Sequence, residues 1–517
     1  MDSDRRRKWL ILVAMTGTLS MILLDQTIVS VALPTIQRDL DMTQTELQWV
    51  VNAYLLAIAA LVAVGGRLSD MFNRVGVLVV GVSIFIVFSA LCGLAQSDVW
   101  LLVSRALQGV GAALMVPPTA AIVTATFPTS ERGRAMGIFA GVSMIFLSLG
   151  PLIGGLLTEY ASWRWVFLVN LPIGLATIAM VAHARPPGRV EGGQRLDLAG
   201  LFTLVPGLAL SVLALMQGNA WGWGSARTLV LFGVGAVLLV AFVLVERRVL
   251  APLVELRLFR TRNFTGDSLV LFFVQFALIG MTIFGAIYVQ DLLGYSPVQA
   301  GLALLPLTIP ILVVAPIAGR LFDRVGPRAL ASVGAALIGA ALVWNAAVLH
   351  DFSYPLLVPG YVLCGVGIGL VMSPTNTDAM SVAPIDLRGQ ASGVIQTVRQ
   401  IGGTVGLAIL GAIVAHVQND RLTDLLLGIG ASESQVSEAE RLLAEGGGNG
   451  DQELLQNVPP ADVAKVTEGA RDAMADAIAA AYYVGGAVLL LTGLLAWALL
   501  RRVEYVDGPA EPGAAAG

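Results

Sequence analysis

Asp25 stands sixteen residues into an apolar run, with Met21, Ile22, Ile28 and Val29 one helical turn away on either side. A carboxylate in hydrocarbon is costly, so one that is present invites a functional reading. Apolar surroundings penalise its charged form, and a group held near that balance can take up and release a proton. Alternatively it stays ionised as the partner of a buried arginine. Arg105 is available at comparable depth, about 9 Å from the far face on an oppositely running segment. Arg105 shares a helix face with Gln108 and Ala112, and Gly109, Gly111 and Ala113 let neighbouring helices approach closely. Further along, Arg399 lies on a stripe with Ser392, Gln396 and Gly403, and Asp378 lies toward the end of the preceding segment. A structural ion pair between them is the first expectation there, and a second protonation site is the alternative. Asp25, Arg105, Asp378 and Arg399 are thus the candidates for proton coupling.

The elements that position these groups must be membrane helices. Of 517 residues, 56% are hydrophobic and 13% charged, and the mean hydropathy is +0.80, so the chain cannot clothe a water-facing surface. Fourteen runs are long enough to cross about 30 Å of hydrocarbon: 9–33, 48–66, 75–95, 99–126, 134–157, 165–184, 198–216, 226–245, 264–289, 298–319, 328–349, 356–383, 388–417 and 476–500. The first follows Arg5, Arg6, Arg7 and Lys8 and is too long for a signal-peptide core, so it reads as an uncleaved span. Loops on the side of the N-terminus hold 22 of the 31 Lys and Arg, and the other side holds seven. The positive-inside rule then places both termini in the cytoplasm.

A long internal repeat organises these spans. Gly66-Arg67-Leu68-Ser69-Asp70 recurs 253 positions later as Gly319-Arg320-Leu321-Phe322-Asp323. Gly109-Val110-Gly111 recurs as Gly365-Val366-Gly367, and Arg132-Gly133-x-Ala135-x-Gly137 as Arg388-Gly389-x-Ala391-x-Gly393, both displaced by 256. Eight spans fit in that interval, which preserves orientation, and parallel repeats of this kind build transporters. The expected organisation is a six-helix half over 1–184, two inserted helices with a connection over 185–263, and a second six-helix half over 264–517. That second half includes a long outer loop, 418–475, in which 432–445 is patterned as a helix. The inserted helices look peripheral. Their connection onward alternates basic and apolar residues, and reads either as a segment lying along the interface or as a plain charged loop.

Several functions are excluded. No Gly-x-x-x-x-Gly-Lys-Ser/Thr loop exists for an ATP-driven pump. His183, His350 and His416 lie at different helix ends, which argues against a metal centre or a membrane-embedded enzyme. Cys92 and Cys364 both fall in apolar runs and imply no disulfide framework. Nucleic acid is not an expected partner.

Several motifs in order resemble the major facilitator superfamily, and within it the fourteen-helix drug:proton antiporters. Segment 24–34 resembles the helix 1 motif, 66–76 the loop between helices 2 and 3, and 105–112 the helix 4 motif. Gly141 with Gly150, Pro151, Gly154 and Gly155 resembles the antiporter motif of helix 5, while 163–174 and 288–297 are similar to segments of the fourteen-helix branch. The resemblance implies an all-α membrane protein with the major facilitator fold, two six-helix halves related by a pseudo-two-fold axis plus two extra spans. It implies export driven by a proton gradient with no cofactor, a proton role for Arg105, and a cytoplasmic latch built on Asp70, Arg74 and Asp323. Gly141, Gly150, Pro151, Gly154 and Gly155 would shape the interface between the halves. Asn73 and Val75 depart from the motif, which has glycine and a basic residue there, and this raises the question of a weakened latch.

The expected cargo is a small amphipathic molecule. Asn52, Tyr54, Gln108, Phe139, Phe146, Gln275, Phe276, Trp344 and Asn345 offer aromatic surface with sparse polar groups near mid-membrane. With Asp25 the only carboxylate near the pocket in the first half, cationic drugs or dyes come first, through charge and cation–π contacts. A lipid, an endogenous antibiotic or metabolite, or an uncoupled facilitator or sensor of the same fold are the alternatives. Partners would be protons and membrane lipids, with the protein a monomer. The skew to 29 Arg against two Lys points to a GC-rich bacterial genome, and so to the inner membrane.

Overall fold

The computed structural model describes residues 2–187, 197–249, 252–384, 387–428 and 463–502. Among these, every regular element is a helix, and fourteen helical spans are long and apolar enough to cross a membrane. The first half comprises α1 (Asp2–Leu40), α2 (Gln44–Met71), α3 (Arg74–Gly93), α4 (Asp98–Thr126), α5 (Thr129–Tyr160), and one span broken at Val169 into α6 (Trp165–Leu168) and α7 (Asn170–Ala184). The inserted pair is α8 (Leu198–Trp221) and α9 (Ala226–Glu246). The second half comprises α10 (Arg262–Ile287), α11 (Pro297–Ala303), α12 (Leu305–Val325), α13 (Pro327–Val348), α14 (Tyr354–Val382), α15 (Arg388–Gly428) and α16 (Val463–Leu499). The face that holds the start of α1 and the end of α16 is the arginine-rich one, called the basic face below.

Local chemistry sets the helix ends. Thr43 makes a capping box with Glu46 at the start of α2, and Ser97 caps α4 through the Trp100 amide. Asn73, unexpected in its motif, caps α3 by accepting from the Val75 and Gly76 amides. An asparagine side chain thus satisfies two otherwise orphaned donors at this turn.

Two helices outrun the hydrophobic spans read from sequence. α15 continues to Gly428 and α16 begins at Val463, inside what the sequence reading treats as the outer loop 418–475. Charges such as Arg421 end the hydropathic run there. The apolar stripe nevertheless persists, with Leu422 and Leu426 buried on α15 and Val466 on α16, and Gly469 against Leu425. Arg421 and His350 both meet Asp476 at 3.0 Å beside this extension. The helix expected over 432–445 lies outside the described residues.

Within the first half α1 packs on α5 and α7, and α4 on α2 and α3; within the second, α13 packs on α14 and α16, and α10 on α15. The halves meet through α2 against α15 and α5 against α12. On the repeat, α2 corresponds to α12 and α5 to α15, so these are two copies of one contact. α8 lies against α2 and α15, while α9 leans on α8 and exposes Val230, Val234, Val237 and Val240, as expected of a peripheral pair in lipid.

Candidate functional site

The first half builds a closed polar cluster. Arg105 is pinned by its Nε donating to the Val50 carbonyl at 2.9 Å, and its guanidinium lies 4.3 Å from the centre of the Tyr54 ring. From there Nη1 donates to Asp25 Oδ2 at 2.6 Å and to Gln108 Oε1 at 2.8 Å. The other carboxylate oxygen, Oδ1, accepts from Gln108 Nε2 at 2.9 Å and from Asn170 Nδ2 at 3.0 Å. Gln108 and Asn170 both donate to Ser89 Oγ, at 3.2 and 3.0 Å, and Ser89 donates to the Phe167 carbonyl at 2.8 Å. Asp25, Gln108 and Asn170 are wholly buried and Arg105 is 1% exposed. Such a pair is sustained only by good geometry with its remaining hydrogen-bonding capacity filled, which this network supplies.

Of the two readings of Asp25, the geometry therefore contains the ion pair. Asn170 and Ser89 belong to the site and were given no role from sequence. Asn170 stands in a quoted motif, and an asparagine in an apolar span is itself a signal. Serine is easily overlooked because it often satisfies itself on its own helix.

The second half differs from expectation. Asp378 and Arg399 form no ion pair: among the described residues no carboxylate lies within bonding distance of Arg399, whose Nη1 donates to Gln396 Oε1 at 2.7 Å while its Nε has no hydrogen-bond partner. The two differ in depth. Asp378 is four residues from the basic end of α14, whereas Arg399 is eleven residues into α15, which separates them along the membrane normal by roughly 10 Å at 1.5 Å per residue. Asp378 instead accepts from Asn263 Nδ2 at 2.9 Å and faces the carboxyl of Asp267, a residue the sequence reading passed over as the start of a span. Both carboxyls are wholly buried. Asn263 also exchanges hydrogen bonds with the Arg501 backbone, tying this pair to the end of α16.

Between the halves lies a cavity of about 60 Å³, toward the basic side of the midplane. That is room for a few waters and well short of the 300 Å³ or more typical of a drug-sized site. Its first-half wall is mainly apolar, with Leu19, Val116, Met136 and Phe139 beside Thr119; its second-half wall carries most of the polar groups, Ser373, Asn376, Ser392, Gln396 and Arg399, beside Met380 and Ile395.

Only Phe139 among the expected substrate residues lines this cavity. Tyr54 and Gln108 serve the Asp25 cluster. Trp344 is 46% exposed and bonds the Leu356 carbonyl, and Asn345 is buried against Gly360, because α13 sits on the rim of its half between α14 and α16. Phe276 presses its backbone on Gly406, and Gln275 lies beside Gly403, both in the α10–α15 contact. Phe146 packs among the core side chains of the first half, and Asn52 is half-buried on α2 away from the cavity wall.

The residues expected to form the latch meet at the basic face. Asp70 accepts from the Gly389 and Gln390 amides at the start of α15, at 2.8 and 2.5 Å, and from Arg74 at 2.9 Å. A carboxylate at a helix N-terminus meets orphaned amides and a favourable dipole. The Asn73 and Val75 departures leave these bonds in place. The side chain of Asp323 lies outside the described residues. Glycines close the same face: Gly66 abuts Gly389, and its repeat copy Gly319 abuts Gly133, each so closely that a Cβ would strike the partner's carbonyl. Helix α5 lies between the halves as expected: Gly150 and Gly154 abut Thr27 and Ile28 of α1, Gly141 lies beside Ala315 of α12, and Pro151 and Gly155 meet Gly301 and Val298 of α11. At the far end Asp39 joins α1 to the start of the α6 span, accepting from Trp163 at 2.9 Å and Arg164 at 2.8 Å. The Trp163 hydrogen bond, then that of Arg164, holds this carboxyl below its usual range.

Comparison with known proteins agrees with this architecture. The model of the Major Facilitator Superfamily matches residues 15–407. The tetracenomycin C resistance and export protein of Streptomyces glaucescens is 36% identical over 422 residues, covering 81% of this chain and 78% of that one. The puromycin resistance protein of Streptomyces alboniger is 36% identical over 515 residues, 98% and 93% of the two chains. Among solved structures, the proton:xylose symporter XylE superposes with a TM-score of 0.60 at 13% identity over 96% of both chains, a likeness of fold.

Proposed function

Because this chain belongs to the major facilitator superfamily, and is a multi-pass membrane transporter rather than an enzyme, we propose that it exports amphipathic molecules in exchange for protons. The halves would rock about the central cavity in the bacterial inner membrane, with the basic face in the cytoplasm. The observation that carries this reading is the Asp25–Arg105 pair. A proton arriving at Asp25 competes directly with Arg105: once the carboxyl is neutral, the guanidinium is left buried without a counter-charge, a state costing about 3–5 kcal/mol when a buried pair is broken. Helices α1, α2, α4 and α7 all hold this network, so its disruption is felt across the half. The Asp267–Asp378 contact supports a second proton position, since two buried carboxyls in contact repel when both are ionised and a shared proton relieves that.

The relatives named for antibiotic export and resistance support drug-like cargo. The cation preference expected from Asp25 finds no anionic counterpart in the cavity wall, because Asp25 is committed to Arg105, Gln108 and Asn170 behind it.

Cells expressing the chain are expected to tolerate severalfold more tetracenomycin C or puromycin, and to lose that tolerance with Asp25→Asn or a protonophore. Ethidium efflux measured in parallel probes the cation reading. Tolerance that survives both treatments would point to the uncoupled facilitator instead.

A further inference from the structure

Arg399 carries the one charge in the cavity wall, and it has no counter-ion among the described residues. Around it on the second-half side are neutral polar groups, Ser373, Asn376, Ser392 and Gln396. The opposing wall is mainly apolar, from Leu19, Val116, Met136 and Phe139, its one hydroxyl, Thr119, being turned back onto the Val116 carbonyl. Arg399 is half-buried with its guanidinium on the cavity, where an unpaired charge is costly, whereas Arg105 is wholly buried and paired with Asp25. The same chain thus shows one intramembrane arginine neutralised by its own carboxylate and one left to be neutralised by something else. The geometry points to the cargo as that something: an amphipathic anion whose carboxylate or sulfonate meets Arg399 while its apolar body lies on the first-half wall.

On the export reading above, this is the wall that the cargo meets. A guanidinium offers a planar fork that matches a carboxylate in two parallel hydrogen bonds, and Gln396, already bonded to Nη1, holds the fork in place. Because both halves line the cavity, with the charge on one side and most of the apolar surface on the other, the anion touches both at once, as a cargo that drives their relative motion must. A consequence for energetics follows. For each proton brought in, export of a monoanion moves two positive charges inward, where export of a monocation moves none, so anion export is driven by membrane potential as well as by the pH gradient.

The test uses three probes with one apolar body: 1-pyrenebutyrate, neutral 1-pyrenebutanol, and (1-pyrenylmethyl)trimethylammonium. Binding is followed by energy transfer from the protein's tryptophans in lipid nanodiscs, against empty nanodiscs. Wild type is expected to bind the carboxylate at least tenfold more tightly than the ammonium probe. Arg399→Gln should remove that preference, and Arg399→Lys should keep its sign. A wild type that prefers the cation, treats the three alike or binds none of them saturably overturns the inference, as does a preference that survives Arg399→Gln. Flux in proteoliposomes separates this from the export reading. A binding preference for the carboxylate with no gradient-driven flux would sink proton-coupled export and leave the anion site standing. Gradient-driven export of the ammonium probe, with the carboxylate ignored, would do the reverse. If both hold, a potential set by potassium and valinomycin, inside of the exporting compartment negative, should speed carboxylate flux and leave ammonium flux unchanged.

Discussion

Carried along the repeat into the second half, Arg105 and Gln108 of α4 land on Tyr361 and Cys364 of α14; carried back, Asp378 and Arg399 land on Ile122 and Ser143. Each half keeps these intramembrane charges where the other has none. The first half concentrates them toward the far face in a dense hydrogen-bonded network around Asp25. The second places two carboxyls near the basic face and a lone arginine at mid-depth. The contacts that close the basic face, by contrast, repeat faithfully, with Gly66 on Gly389 and Gly319 on Gly133. On the export reading proposed above, the difference teaches a division of labour: the joint between the halves obeys the pseudo-symmetry because rocking needs it, whereas coupling two unlike solutes needs two unlike sites.

The largest expected effect comes from breaking the Asp25 network. Asp25→Asn strands Arg105 and should lower gradient-driven export about a hundredfold, with a destabilisation near 3–5 kcal/mol visible as a lower melting temperature in detergent. Adding Arg105→Gln should recover much of the stability and none of the export. An Asp25→Asn protein that still pumps at the wild-type rate would remove the functional contrast between the halves.

Next come the repeated glycines. Gly319→Ala and Gly66→Ala each put a methyl group into the partner's backbone, and both should prop the basic face open. Export should fall at least tenfold, and a cysteine introduced at Ala63 should react faster with an impermeant maleimide. Cys92 and Cys364 are both buried and give little background. If one substitution opens the face and the other does not, the joint is less symmetric than its geometry.

A smaller change is expected at the carboxyl pair. Asp267→Asn leaves Asp378 with a neutral neighbour and should alter the pH dependence of transport severalfold without abolishing it. An unchanged pH profile would make the pair structural. Smallest of all, Asn73→Ala removes the α3 cap and should cost about 1 kcal/mol of stability, with transport intact.

The sequence displayed the spans and the repeat, and offered the partnership of Asp25 with Arg105 as the alternative to a free titrating carboxyl, because each rests on a local or periodic signal: apolar length, identical motifs, or a charge in hydrocarbon. What it concealed depended on rotation about helix axes, on depth along them and on where helices outrun hydropathy. Asp378 and Arg399 share a half and look like a pair, yet one turns into the bundle and the other toward the cavity. Trp344 and Asn345 lie at mid-membrane, but on a helix at the rim. Asp267 stood too close to a span's beginning to look intramembrane until α10 proved buried from its first turn. The extensions of α15 and α16 were hidden because hydropathy stops at the first charges, while helix packing does not.

The meeting of Gly133 with Gly319 puts bare backbone on bare backbone. Interlocking side chains would have to leave their sockets, change rotamers and find them again at every turnover, and ordering each would cost entropy on the way back. Two glycines have nothing to withdraw. On the rocking proposed above, the joint parts and reseats here with no side chain to repack, so it carries no memory of the previous cycle and adds little friction to the next.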